Sequence, residues 1–478
     1  MKGFDTPLAL VGNSLAVQVA ATERAKRGLP TLVINQGGPL GGYFAGVTTG
    51  GALWDAGMVV CEFTSFRTPV NPPAIASYDP MRRNDAGRFT HAVEAYFDEY
   101  LPTRTIRAFK MSLGGQWLPD LILGNALAAL PLLGCRHAVR DEVLSNLAMS
   151  MASPWHAQRK DAWQNVSVPD YDTVSRINHG SILHDTVFAP FARKVLGRDA
   201  SNIHALFHRI LWLPLYWPQT LLAALDEAPT NLPATVYSHP VGAPVARLCA
   251  ELTIKMANFS KLTVRNERLL AVERSEQGFV LHLAQSGRIH AARLAWSQSP
   301  FQGLQACGSN SGARVEPRLP LLLVFLKVAR SAIRRDFSVL HVLSSDTGIY
   351  RVVNTTDCAG TYDNDSIQIV VEANPKVFVD HHGSASCNRA TIPAVIEDLY
   401  HIGILLEGCI PLFSHELHLP GALPLPTPES LRAWGLERDT LLEKLPGLEL
   451  LGNSSGPFAT SISDQIVQGL QLAERVDL

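Results

Sequence analysis

The sequence is short of the features that mark several large classes of protein. It has no basic excess: 41 Lys and Arg stand against 43 Asp and Glu, a formal net charge of -2. Nucleic-acid binding normally leaves a basic patch or stripe, so no such partner is expected. There is no CxxC pair. The seven cysteines (Cys61, Cys135, Cys249, Cys307, Cys358, Cys387 and Cys409) are odd in number and far apart. That pattern argues against a disulfide framework or a thiolate zinc site and reads as free thiols in a reducing compartment. Charge blocks, low-complexity tracts, internal repeats and a lysine phosphate loop are also missing. The N-terminus lacks a signal-peptide layout: Pro7-Leu8-Ala9-Leu10-Val11 meets glycine at once, and Glu23, Arg24, Lys26 and Arg27 follow. The expected compartment is the cytoplasm.

Long apolar runs are scarce as well. A membrane-spanning helix wants about 20 uninterrupted apolar residues. The nearest run, Trp117 to Gly134, contains Asp120 and Asn125 and is broken by Pro119 and Pro131. No integral membrane segment is expected. The run reads as a buried helix over a substrate pocket, with peripheral membrane contact the lesser reading.

What is present suits a globular enzyme with a generous core. The 478 residues are 46% hydrophobic and 18% charged, and the length allows roughly two to three domains. The opening reads strand, turn, helix, strand. Leu8 to Val11 is a short apolar strand, Gly12-Asn13-Ser14 a turn, Leu15 to Lys26 has helical spacing, and Thr31 to Ile34 is a second strand. This is a βαβ start of about 30 residues, as dinucleotide-binding domains require, with an ordinary βαβ turn as the alternative reading. The middle, from about 85 to 225, carries helical patterns such as Phe188 to Val195 and Ile203 to Leu211. Short strands follow at Leu262 to Val264, Leu269 to Glu273, Phe279 to Leu283 and Leu294 to Trp296. Further strands are expected at Leu321 to Val328, Gly348 to Asn354 and Ser366 to Glu372. The last 40 or so residues return to strand (Leu448 to Leu451), glycine turn (Gly452) and helix (Ile462 to Arg475).

A phosphate-binding turn places backbone amides at the positive end of a helix, usually through GxGxxG. Gly12, Asn13, Ser14, Leu15, Ala16 and Val17 occupy those six positions, and only the first glycine is kept. Ser14 can still give its hydroxyl to a phosphate. Asn35 stands where an acidic ribose reader would follow the second strand, and it can hydrogen-bond a hydroxyl without charge.

Five windows in order carry a family resemblance. The opening turn is the first. Asn35 to Tyr43, with Gly41-Gly42, is similar to the second FAD motif of the amine-oxidase and protoporphyrinogen-oxidase superfamily, and Trp54 to Met58 resembles its DxG segment. His239-Pro240-Val241-Gly242 precedes a helix, and Val264 to Val272, with Leu269 at the adenine-facing position, resembles the central pattern. Gly287 and Ala291 to Ser299 look like its returning strand. Gly452-Asn453-Ser454-Ser455-Gly456, followed by Ser461 to Ile466 and Gly469, resembles the terminal motif, whose helix reaches the flavin. The resemblance implies an α/β fold: a Rossmann-type FAD-binding domain of discontinuous segments 1–70, 232–305 and 440–478, with an inserted α+β substrate domain. That insert comprises 71–231, largely helical, and 306–439. It implies FAD as cofactor, held by Gly12, Ser14, Leu15, Ala16, Asn35, Gly41, Gly42, Tyr43, Leu269, Gly452, Asn453, Ile462 and Ser463. Gly348 to Asn354 resembles a strand of the protoporphyrinogen-oxidase and UDP-galactopyranose-mutase branches. Tyr350 and Arg351 are therefore the substrate-side candidates, with a surface ion pair as the alternative for Arg351.

The activity implied is an FAD-dependent oxidoreductase taking a hydride from a C–N or C–C bond of a small-molecule substrate. A flavin-dependent sugar-nucleotide mutase is one alternative. A member without FAD, serving as a binding or scaffold protein, is another. A homodimer is the expected assembly. No catalytic acid or base stands out. His204 and His208 share a face at helical spacing, half a metal site at most, and His381-His382 reads as an ordinary loop pair before Gly383. No metal is expected. Lys327 reads as a snorkelling lysine near a strand end, and Trp212 to Pro218 as an aromatic wall or core. Gly452 to Gly456 fits a nucleophile elbow, but no histidine follows Ser454 to complete a hydrolase triad.

Overall fold

The first strand, Thr6–Val11 (β1), helix Leu15–Lys26 (α1) and second strand Thr31–Asn35 (β2) fall where their periodicity predicts them. The computed structural model describes residues 5–64, 73–83, 85–151, 169–228, 235–309, 317–361, 365–383 and 391–475. β1 pairs in parallel with β2 on one side and with the strand Gly287–Trp296 on the other. Its side chains alternate between two apolar layers. Leu8 and Leu10 join Ala16, Val17 and Ala20 of α1, while Ala9 and Val11 meet Leu281, Leu294 and Leu441. Coverage on both faces explains why this strand is apolar almost throughout. Leu262–Asn266 adds in parallel beyond β2. Phe279–Leu283 and Leu269–Arg274 extend the other edge antiparallel, and Glu449–Leu450 joins the end of Gly287–Trp296. One sheet thus draws strands from three distant stretches of chain.

A second seven-stranded sheet has the order Phe413–Pro424, Arg318–Ala329, Ser366–Ala373, Ile349–Asn354, Val339–Val342, Phe109–Leu113 and Gln116–Pro119. The strand Arg318–Ala329 divides its side chains with the two-residue period of a pleat. Leu319, Leu321, Leu323 and Phe325 pack under the helical layer, against residues such as Leu183, Phe188 and Phe191. Leu322, Val324, Leu326 and Val328 face Phe378, Val395 and Leu399 of two later helices. Lys327 sits two residues from that strand's end and is partly exposed, in keeping with a snorkelling side chain.

Three expectations are corrected. Trp117 to Gly134 is buried in part, with Asn125, Ala128, Leu132 and Gly134 exposed, and is no single helix. It is a strand ending at Pro119, then a turn, then a 3-10 segment Leu127–Leu133 containing Pro131. The prolines cannot donate to a helical ladder. Asp120 instead gathers the amides of Ile122 (3.0 Å), Leu123 (2.9 Å) and Gly124 (2.7 Å). Ile203 to Leu211 is likewise 3-10 from Ala205, with His204 as its cap. His381 and His382 end a helix, Pro375–His382, rather than lying in a loop. Six cysteines are free, and Cys387 lies outside the described residues. Among the described residues no helix is long and apolar enough to cross a membrane.

Candidate functional site

Three glycine turns, far apart in the chain, meet at the N-terminus of α1. Gly12 has φ +120°, and a Cβ there would fall 2.2 Å from Ser297 Oγ, so only glycine fits. Gly41 donates its N–H to Asn13 O at 2.8 Å, and Gly42 lies against Asn13 and Ser14. Gly452 packs on Ser14 from the other side, a Cβ there reaching within 3.2 Å of the serine side chain. Asn453 and Tyr43 remain exposed at this junction. The structure therefore brings together Gly12, Ser14, Leu15, Ala16, Gly41, Gly42, Tyr43, Gly452 and Asn453. Ile462 and Ser463 open the helix Ile462–Glu474, and Ile462 packs in the same cluster as Leu15.

The N-terminal amides of α1 are held by neutral oxygens. Ser14 Oγ accepts the Val17 N–H at 3.3 Å, and Gln465 Oε1 accepts that of Ala16 at 3.2 Å. Gln465 is itself fixed by bonds from its Nε2 to Asn453 Oδ1 and Ala459 O, both 3.2 Å. An oxygen acceptor at a helix N-terminus is what a phosphate provides. The donor set accordingly fits a dinucleotide phosphate, with Gln465 as its stand-in.

Asn35 ends β2, and Leu269 opens the strand Leu269–Arg274. Asn35 Nδ2 donates to Gly38 O and to Asn266 Oδ1, each at 3.0 Å, and Asn35 Oδ1 accepts from the Gly37 N–H at 3.1 Å. The Leu269 N–H donates to Gln36 Oε1 at 3.0 Å. The sequence reading missed Gln36 and Gln465, because glutamine has no fixed place in the motifs.

A polar chain links Tyr43 to the second sheet. Tyr43 donates its hydroxyl to Ala56 O at 2.8 Å. Two residues on, the Met58 N–H donates to Glu372 Oε1 at 2.6 Å. Glu372 Oε2 accepts from Arg351 Nη1 (2.8 Å) and from the Tyr350 hydroxyl (3.0 Å). Arg351 Nε donates to His341 Nε2 at 3.2 Å, which leaves His341 Nδ1–H to face Asp120 Oδ1 at 3.1 Å. Arg351 is only 3% exposed, so its partner is internal and the surface ion pair is not formed. Burial works against the Asp120 carboxylate, but His341 and the turn amides hold it below the usual range. Burial and Glu372 push the Tyr350 hydroxyl well up. Glu372 and His341 were not singled out in the sequence, and Asp120 only as a break in the run Trp117 to Gly134. Each is an isolated polar residue in an apolar strand or run, and that isolation was the available signal.

Asp55, within the DxG segment, accepts the amides of Val245 (3.0 Å) and Ala246 (2.8 Å), so it caps the helix Ala246–Ala257. His204 and His208 form no metal half-site. His208 lies between Arg83 (2.6 Å) and Leu213 O (2.5 Å), and His204 Nδ1 accepts from the Leu206 N–H. The Trp212 to Pro218 stretch sits mainly in the core, with Tyr216 buried and Trp217 partly exposed.

This two-sheet architecture, with a βαβ start completed by the last helix, is the fold of a UDP-galactopyranose mutase and of several oxidases. Three solved structures share it along their whole length. A reduced UDP-galactopyranose mutase aligns with TM-score 0.68 at 14% identity, covering 99% of this chain and 95% of its own. A protoporphyrinogen oxidase-like protein from an Exiguobacterium species gives 0.61 at 15%, covering 99% of both chains. A cyclohexylamine oxidase from Brevibacterium oxydans gives 0.59 at 14%, covering 99% and 98%. No family model matches the chain, and no curated protein does either.

Proposed function

We propose that the chain is an FAD-dependent oxidoreductase acting on a C–N or C–C bond of a small organic substrate. The observation that carries this is the junction of three glycine turns at the N-terminus of α1, where side-chain oxygens hold the amides a phosphate would take. The residues that would hold the dinucleotide are Gly12, Ser14, Leu15, Ala16, Gly41 and Gly42 at the phosphates, with Asn35 and Leu269 toward the adenosine. Tyr43, Asn453, Ile462 and Ser463 would lie toward the ring. A bound flavin supplies the electron chemistry. The protein's own part is positioning: Glu372 fixes both the Met58 amide and Arg351, and so ties the loop beyond Tyr43 to the strand carrying Tyr350. The proposed cofactor domain is residues 1–70, 232–305 and 440–478, and the substrate domain 71–231 and 306–439. A cytoplasmic compartment and a homodimer belong to the same reading.

A second reading is favoured by a specific observation. Asn35, Leu269 and Ala16 already have internal partners, as a member without FAD acting as a binding protein would have. The experiment that separates them is an absorption spectrum of the gently purified chain, with mass identification of anything released on denaturation. Flavin bands support the oxidoreductase. A colourless protein that stays colourless after FAD is added overturns it and leaves the binding protein.

A further inference from the structure

We propose that His381, His382 and Asp398 form a site for one divalent transition-metal ion of the zinc class. The site is independent of the flavin crevice. It lies where the helix Pro375–His382 ends against the helix Thr391–His401. One ligand atom from each residue can be chosen so that all three lie within 4.8 Å of one another. Tetrahedral zinc, with bonds of about 2.0–2.1 Å, needs donors about 3.4 Å apart, so a modest side-chain closure completes the set. Two imidazoles and a carboxylate suit zinc, cobalt or nickel rather than magnesium or calcium.

The second observation is the state of Asp398. It is 1% exposed, and its Oδ1 is buried with no hydrogen-bond partner among the described residues. A buried carboxylate oxygen left unpaired is costly, and a cation would satisfy it. The other oxygen is already oriented: Oδ2 accepts from the Gly348 N–H at 3.0 Å and faces His382 Nε2 at 3.2 Å. The Gly348 bond is of the outer kind that commonly fixes a ligating carboxylate. The carbonyl end of the helix Pro375–His382 also favours positive charge. His381 is exposed, which gives an ion a path in and leaves a fourth position for water. The buried ammonium of Lys194 also feels the Asp398 charge, but it is committed to Thr347 Oγ1 and Ile349 O, both at 3.0 Å. The ion would clasp the two helices together and steady Gly348, which leads into the strand bearing Tyr350 and Arg351.

The test is calorimetric titration of the chelator-treated full chain with zinc chloride, alongside the visible spectrum after cobalt addition. One ion per chain, tetrahedral cobalt absorption and a raised melting temperature are expected. Affinity should fall roughly tenfold or more in His381→Ala, an exposed position whose folding is checked by circular dichroism. Asp398→Asn should lose binding. No uptake of zinc at sub-millimolar concentration, or binding that His381→Ala and His382→Ala leave unchanged, overturns the site. Neither result depends on whether flavin is bound.

Discussion

Gln465 places a neutral amide oxygen on the first free amides of α1, and that bond competes with any phosphate. In Gln465→Ala the Ala16 N–H is released. Exchange of one hydrogen bond worth about 1 kcal/mol predicts roughly fivefold tighter FAD binding, read by flavin fluorescence titration. The same variant should unfold more easily without FAD. Weaker FAD binding in the variant would show that Gln465 is a ligand rather than a competitor. Glu372 makes the opposite kind of prediction. It is the only carboxylate within salt-bridge distance of Arg351 among the described residues, and both are buried. Glu372→Ala strands that guanidinium and should cost about 3–5 kcal/mol in urea unfolding. Neither residue belongs to a motif. A glutamine 449 positions from its partner leaves no local pattern to read, and the one signal of Glu372 is its isolation in an apolar strand.

Single elements were far easier to read than the contacts between them. β1, α1 and β2 follow from period alone, and Phe279–Leu283 matches its predicted bounds. The Trp117 to Gly134 run failed because a carboxylate and two prolines redirect its amides, which apolar content does not report. Another case is the helical layer at Asp172 to Tyr216. The Tyr216 N–H donates to His179 Nε2 (2.9 Å), which assigns the His179 proton to Nδ1, facing Ser175 Oγ at 2.9 Å. Ser175 then donates to His184 Nδ1 (2.7 Å), and His184 Nε2–H reaches Asp172 at 2.8 Å. One backbone amide thereby fixes the tautomers along the whole chain, across the π turn His184–Phe188. Ser175→Ala would leave two buried imidazole nitrogens unpaired. A loss of about 1–3 kcal/mol is expected in chemical denaturation, whereas Ser175→Thr should retain part of it. The terminal helix offers a steric counterpart. A Cβ at Gly469 would lie 2.5 Å from Val19 Cβ and 2.8 Å from Ala16 O, so Gly469→Ala should cost about 1–3 kcal/mol.

For the whole molecule, buried titratable groups set the response to acid. Burial lowers His179 to about 3 and His204 to about 4, and with Arg83 holds His208 well below its ordinary value. These histidines stay neutral when folded but take protons in the unfolded chain below about pH 6.5. They therefore stabilise at neutral pH and lose that stability as the pH falls. Burial raises Asp464 to about 6, so the folded chain keeps a proton there that the unfolded chain releases above about pH 4. Its contribution has the opposite sign. Near pH 5, these four groups together gain about three protons on unfolding and release about one, a net of about two from them. Stability should then rise with pH by about 3 kcal/mol per unit between 5 and 6. Denaturant titrations across that range check the slope, and Asp464→Asn should steepen it.

The sheet around β1 also dictates when the protein can fold. During synthesis β1 and α1 emerge first, yet β1's other neighbour lies in residues 287–296 and the acceptor for Ala16 at Gln465. Contacts that far apart in sequence close slowly and late. The nascent first strand must therefore wait, the face bearing Ala9 and Val11 uncovered, until residues 287–296 and the helix bearing Gln465 have been made. Chains released before residue 449 should be clients of chaperones, not stable fragments.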